Sequence, residues 1–214
     1  MIKAYQERYL EFKSQAEDLG RRGVRLGWIR VGVFSLGFLL YLAWDMGSGT
    51  LATGLGVCAL LCLGLFLALV MWHRRVRRRR EWFEDMARIN QISLARAECR
   101  WTELPEAGVQ GPDADHPYAF DLDVCGQASL FRLFTSVTLP PGVETLRRWI
   151  LSPADPTEVG LRQEAVAELA PEVDLRQELE LLGRSVDGPP TDSIRRFLEW
   201  AEAEGWLHRR PWVL

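Results

Sequence analysis

The sequence has few of the residues on which common catalytic motifs depend. Lysine occurs only at Lys3 and Lys13, and neither follows the glycines of a phosphate-binding P-loop, so such a loop is excluded. Neither a GxSxG nucleophile motif nor an HExxH zinc motif is present. The four cysteines and three histidines form no CxxC pair and no zinc-binding spacing, which predicts free thiols in a reducing compartment. We therefore expect no catalytic residue, no cofactor site and no metal site in this chain.

One polar cluster leaves an alternative to that expectation. It consists of Asp113, Asp115, His116, Asp121 and Asp123. Alternate carboxylates can hold Mg²⁺ or Mn²⁺ together with a nucleotide. Aspartates at turns more commonly bond to the neighbouring backbone, and this is the interpretation that we favour.

The net charge of −3 hides a division of the chain into two parts. Residues 1–80 carry 13 basic and 5 acidic side chains, whereas residues 81–214 carry 13 basic and 24 acidic ones. The first part therefore has a net charge of +8 and the second of −11. A hydrophobic fraction of 48% excludes a wholly disordered chain.

Two apolar segments predict a transmembrane hairpin over residues 26–72. Residues 51–72 contain no charged side chain, and their 22 residues form about 33 Å of helix, enough to cross a hydrocarbon core of ~30 Å. Residues 26–44 are apolar except for Arg30, which lies near the start and can extend to the lipid headgroups. Residues 45–50 supply a polar turn. The alternative, a buried core helix, is not expected in a chain this small.

Arginines flank the hairpin on one side and predict its orientation. Arg21, Arg22 and Arg25 precede the first apolar segment and Arg30 lies near its start, the turn has none, and six follow the second segment: Arg74, Arg75, Arg77, Arg78, Arg79 and Arg80. The positive-inside rule then places both ends of the hairpin on the cytoplasmic side. We expect the hairpin to lie in the cell (inner) membrane. We expect these six arginines to set the topology and to contact anionic membrane lipids, although a nucleic-acid patch is the alternative.

The segments beside the hairpin have helical periodicity. Residues 1–25 predict an amphipathic cytoplasmic helix, with apolar side chains at steps of three and four: Ile2, Tyr5, Tyr9, Phe12, Ala16 and Leu19. Residues 73–100 predict a basic juxtamembrane segment and a second amphipathic helix. We expect the two helices to pack as an antiparallel pair. The alternative is a surface for a partner helix or for a second copy, and hence a possible homodimer.

The rest of the chain predicts a helical cytoplasmic domain, so the fold class is all-α. Residues 101–117 form a predicted linker and residues 118–210 the domain, with at most one short strand, over residues 118–124. Ser129 and Asp155 are predicted helix starts, and residues 140–142 a break. Trp149 and Trp200 are expected in the core. Residues 211–214 predict either the start of a truncated third span or a short apolar tail.

Residues 116–182 resemble the start of the core domain of MutS-family mismatch-repair ATPases, and more closely a membrane-bound branch of MutS-related proteins. The order and spacing of a serine-capped helix, a Thr…Gly turn and two further helices carry the resemblance. The matching family-motif residues are Gly126, Ser129, Leu130, Phe131, Thr138, Gly142, Leu146, Trp149, Pro153, Arg162, Ala165 and Val166.

The resemblance implies a longer parent protein that binds ATP with Mg²⁺ and binds DNA. In that family the ATPase domain lies further toward the C-terminus, so this chain is expected to hold the membrane anchor and part of a helical lever. DNA would be contacted only through missing domains, because residues beyond 80 lack the clustered basic side chains that phosphates require. The alternative is a self-contained membrane scaffold that recruits a cytosolic partner.

Overall fold

A computed structural model describes residues 2–105, 116–126, 128–185 and 191–202. Every regular element among them is helical, which confirms the all-α prediction. The helices are α1 (Ile2–Met46), α2 (Thr50–Ala97), a 3₁₀ turn (Trp101–Glu103), α3 (Leu130–Phe134), α4 (Pro140–Leu151), α5 (Pro156–Leu169), α6 (Val173–Ser185) and α7 (Thr191–Glu202). The chain forms two compact units, Met1–Gln91 and Ile92–Leu214.

The first unit is an antiparallel helical hairpin of α1 and most of α2. The two helices are joined at residues 47–49, where Gly49 adopts a left-handed φ of 80° that glycine reaches without steric cost. The apolar segments and their amphipathic flanks belong to the same two continuous helices. Each helix is long and apolar enough to cross a membrane.

Contacts along the hairpin define its register. The rings of Phe34 and Phe66 lie 5.7 Å apart, and those of Phe12 and Phe83 lie 6.1 Å apart. A Cβ added at Gly37 would lie 3.0 Å from the Cβ of Cys62, so the backbones approach closely there. The residue numbers of all three pairs add to between 95 and 100, as expected when two helices of equal rise run in opposite directions.

Burial in the hairpin is concentrated away from the apolar segments. Phe83, Met86, Ala87 and Ile89 are buried, as is Asn90, whose side-chain amide donates a hydrogen bond of 2.9 Å to the Met86 carbonyl. In contrast, almost none of the side chains in the most apolar stretches of α1 and α2 is buried. These stretches therefore differ from the core helices of a soluble protein, which are mostly covered by other elements.

The described residues of the second unit form two small apolar clusters. Ile92, Ala95 and Leu104 form one of them, and the half-buried Leu133 packs against it. The other consists of Ala119, Val124 and Leu151, packed by Tyr118, Cys125 and Ile150. Arginine side chains connect the loops to this framework, since Arg96 donates to the Thr135 carbonyl and Arg132 to the carbonyls of Leu104 and Pro105.

No strand forms at residues 118–124, the one segment in which the sequence allows a short strand. Residues 117–123 form successive turns, in which the amide of Leu122 bonds to Tyr118 O and that of Val124 to Ala119 O. Asp123 has a φ of 45°, which a strand does not accommodate. A lone strand has no neighbour to satisfy its backbone groups, whereas turns satisfy them locally.

The break between helices that is expected at residues 140–142 is wrong, because α4 begins at Pro140. Proline suits the first helical turn because its missing N–H has no intrahelical acceptor there. The core positions expected for two tryptophans are wrong as well. Trp149 is 45% exposed and Trp200 is 63% exposed.

Candidate functional site

Several family-motif residues hold the start of the helical domain together. Ser129 caps α3, where its hydroxyl accepts a hydrogen bond of 3.2 Å from the backbone amide of Arg132. Phe131 has no exposed surface, and its amide donates to Val124 O at 3.0 Å. Gly126 lies so close to the Asp123 carboxylate that a Cβ there would collide with it. These residues build the fold rather than a reaction centre.

The Thr…Gly turn has a similar packing role. A Cβ added at Gly142 would lie 2.5 Å from Cγ1 of Val137, which is closer than real contacts. Thr138 packs directly on Gly183 of α6, with no room for a side chain at that glycine. Packing around this turn therefore requires small residues at Gly142 and at Gly183, which are 41 residues apart in the sequence.

Two further motif residues contact each other on the surface. The guanidinium carbon of Arg162 lies 4.0 Å from the ring centre of Trp149, a cation–π distance. Arg162 also donates a hydrogen bond of 3.0 Å to the Glu158 carboxylate. This pair joins α4 to α5 and explains why Trp149 is stable outside the core.

The remaining motif residues are not gathered into a site. Leu130 and Pro153 are exposed, and Leu146 is half-buried. Ala165 and Val166 are exposed on α5, a helix with no buried residue. The twelve motif residues thus divide into a packed framework and an uncovered surface.

The aspartate cluster does not come together as a metal site in the part of the chain that the structure describes. Asp113 and Asp115 lie outside the described residues. The His116 ring lies 2.9 Å from the Leu151 carbonyl through Nε2 and stacks edge-on against Tyr118. No group of three His, Cys, Asp or Glu side chains suited to a metal occurs among the described residues.

Cys125 is the one thiol in this region with a perturbed environment. Partial burial raises the pKa of the Cys125 thiol, Arg147 acts in the opposite direction, and Asp123 adds to the increase. A raised pKa lowers the thiolate fraction near neutral pH.

A basic groove of about 470 Å³ lies between α1 and α2. Arg22 and Arg25 of α1 face it from one side, and Arg75 and Arg79 of α2 from the other. Its remaining lining is apolar and comprises Leu19, Leu26, Ile29, Trp72 and Val76. Sequence reasoning included Arg75 and Arg79 among the lipid-contacting candidates but missed Arg22 and Arg25, which the antiparallel register of the hairpin brings opposite them.

Two neighbouring arginines of α2, Arg77 and Arg80, differ from these four in having acidic partners. Arg77 and Arg80 each form a hydrogen-bonded ion pair of 2.8 Å with a glutamate one turn ahead. The hydrogen bond to Glu81 raises the pKa of Arg77 above its ordinary value. No ion pair with a carboxylate is present at the four groove arginines within the described residues. The positive charge of the groove is therefore not neutralised by the protein.

Three kinds of comparison with known proteins found no match for this chain. No protein-family model, no curated protein and no solved structure gives a significant match. The resemblance of residues 116–182 to the MutS family therefore stays a prediction that rests on the order of its motifs. The structure adds contacts between some of these residues.

Proposed function

We propose that this chain is a membrane anchor, in which the α1–α2 hairpin spans the bilayer twice and holds a helical domain at the cytoplasmic face. The observation that carries the proposal is the uncovered state of the apolar segments. Phe34, Leu39, Leu60 and Leu61 are each more than half exposed. Lipid removes such surfaces from water. The favourable transfer free energy is about 1.5–3 kcal/mol for each large apolar side chain that becomes fully covered.

The charge distribution supports one orientation. Both ends of the hairpin carry arginines, including Arg22 and Arg25 before the first segment and the arginines at 74–80 after the second. The turn at residues 47–49 carries no charge. Because positively charged loops stay on the cytoplasmic side, the turn faces outward and the helical domain faces the cytoplasm.

Cysteine accessibility tests the proposal directly. Ser48→Cys places a thiol in the turn, and the native Cys99 reports the opposite side. In intact cells or right-side-out vesicles, a membrane-impermeant maleimide should label S48C at once and Cys99 only after permeabilisation. Cys58→Ser and Cys62→Ser in the same chain remove labelling from within the hairpin. Labelling of both sites without permeabilisation, or release of the chain by alkaline carbonate, contradicts a spanning hairpin.

The resemblance supports a more specific version, in which the anchor belongs to a MutS-like ATPase of the DNA-repair type. In this version the helical domain transmits motion between the membrane and a nucleotide-binding domain of the parent protein, and DNA is gripped elsewhere. The contact of Arg162 with Trp149 supports it by linking two successive motif helices, α4 and α5.

Two measurements test this version. The endogenous protein is sized by immunoblot with an antibody against the helical domain, and its ATPase activity is assayed after purification. We expect a protein much larger than 24.5 kDa that hydrolyses ATP, whereas residues 1–214 alone bind no nucleotide. An endogenous protein of 24.5 kDa without nucleotide binding contradicts the ATPase version and leaves the anchor intact.

A self-contained scaffold is the second candidate, and α5 provides the observation in its favour. Val159, Val166 and Leu169 are spaced seven and three residues apart, so they lie on one face of α5, and all three are exposed. An uncovered apolar helix face is typical of an interaction surface. Val166→Ser with Leu169→Ser should abolish a specific cytosolic interaction or self-association in a scaffold, measured by cross-linking in membranes. Unchanged cross-linking contradicts this role for α5.

A further inference from the structure

We propose that the basic groove between α1 and α2 binds the headgroup of an anionic phospholipid from the cytoplasmic leaflet, and that it prefers a headgroup with two phosphate groups. The inference rests on the proposed membrane anchor, because only an inserted hairpin brings the groove to headgroup level. It goes beyond general attraction of a basic segment to membranes, since it assigns a defined site with four named arginines.

The position of the groove along the hairpin matches a headgroup site. On α1, Arg25 is followed at once by Leu26, where the first apolar segment begins. On α2, the uncharged segment ends at Trp72, and Arg75 follows three residues later. Trp72 lines the groove, and indole rings favour the boundary between headgroups and acyl chains. The groove therefore lies where the apolar and charged parts of both helices meet.

The lining of the groove suits a molecule with both polar and apolar parts. Leu26, Ile29 and Val76 provide an apolar surface for the glycerol backbone and the first methylenes of the acyl chains. The guanidinium groups supply the polar part of the lining. A fully hydrated inorganic ion would leave this apolar surface in contact with water, so the lining favours a lipid.

The charge of the groove determines the preferred headgroup. Arg22 and Arg25 are three residues apart, and Arg75 and Arg79 are four apart, so each pair lies on one face of its helix. The guanidinium fork binds phosphate oxygens in a bidentate manner. A headgroup with two phosphates allows each helix to hold one phosphate. A single phosphate would leave one pair of like charges uncompensated.

Matched double variants test the site in the full chain. Arg75→Gln with Arg79→Gln removes two charges from the groove. Arg74→Gln with Arg78→Gln is the control, because it removes two charges at the same spacing from the same helix but outside the groove lining. Each protein is reconstituted into phosphatidylcholine nanodiscs that contain either cardiolipin or twice the molar amount of phosphatidylglycerol, which equalises the lipid charge. Bound lipid is counted by native mass spectrometry.

We expect the native chain to retain cardiolipin in preference to phosphatidylglycerol. The R75Q/R79Q variant should lose cardiolipin affinity by about tenfold or more, because a hydrogen bond to a charged group contributes enough for a tenfold change in affinity. The R74Q/R78Q control should lose less than about threefold. A tenfold loss in both variants overturns the site in favour of diffuse surface charge.

Two further results also overturn the proposal. Equal retention of the two lipids contradicts the preference for two phosphates, and complete displacement by millimolar inorganic phosphate shows that the groove binds free phosphate rather than lipid. Carbonate extraction of the same samples separates this inference from the membrane anchor. A chain that resists extraction but shows no groove-specific loss contradicts the lipid site alone, whereas an extractable chain contradicts the anchor.

Discussion

Truncation of Phe131 provides a sharp test of the helical domain, because α3 carries a natural control. Phe131 is completely buried, whereas Phe134, three residues later in the same short helix, is 57% exposed. Removal of a fully buried phenyl ring costs about 3–5 kcal/mol in lost burial and cavity formation. Phe134→Ala removes the same atoms from a position that is already largely in water, so it should cost about 1 kcal/mol or less.

Hydrogen exchange in the full chain, reconstituted in nanodiscs, measures both effects. If amides of α4 exchange by cooperative opening of the domain, Phe131→Ala should accelerate their exchange by at least about a hundredfold, since each 1.4 kcal/mol is a factor of ten. Phe134→Ala should accelerate it by less than about tenfold. Peptides from the first half of α1 serve as an internal reference in the other unit. Equal acceleration by the two variants would refute the assignment of Phe131 to the core.

Three further predictions concern the motif residues and the thiols. Gly142→Ala should lower the unfolding temperature of the helical domain and cost about 1–3 kcal/mol, because its Cβ would lie 2.5 Å from a valine methyl carbon; an unchanged temperature contradicts this packing. A double-mutant cycle of Arg162→Gln and Trp149→Leu should show a coupling of about 0.5–1 kcal/mol in the same unfolding assay, and zero coupling refutes the cation–π contact. Iodoacetamide should modify Cys125 more slowly than the exposed Cys99 at neutral pH, because burial raises the pKa of the Cys125 thiol. The Cys125 thiol ionises at a lower pH in the unfolded chain than in the folded one, so the free energy of unfolding should fall as the pH rises above about 8.5. A Cys125→Ala variant should lack that decline.

Local sequence features predicted local structure well. Ser129 and Asp155 were expected at helix starts, and both accept hydrogen bonds from backbone amides of the first turn. Such caps involve residues two or three apart, so no knowledge of the tertiary fold is needed to find them. The predictions that failed concern segments whose local sequence is compatible with two different backbone structures. The prolines at 140–141 suit either a break or a helix start, and the alternation at 118–124 suits a strand only if a second strand is available.

The basic groove could not be predicted from the sequence, because its lining combines residues that are distant in the chain. The arginine run at 74–80 was evident from the sequence, but its division into groove-lining, glutamate-paired and remaining side chains was not. The surface position of Trp149 also depends on a contact between helices, because Arg162 of the next helix lies over one face of its ring. Apolar character alone predicted burial for this residue and could not anticipate a cation over the ring.

The sequence by itself determined that the chain is helical, that two helices are long and apolar enough to cross a membrane, and where several helices begin. These properties follow from residue periodicity, side-chain hydropathy and capping, which act over a few residues. Only the tertiary structure decided that Arg22 and Arg25 face Arg75 and Arg79, and that Phe131 is buried while Phe134 is exposed. The physical reason is that burial and charge proximity depend on which helix faces meet, and that choice is made by packing between residues far apart in the chain.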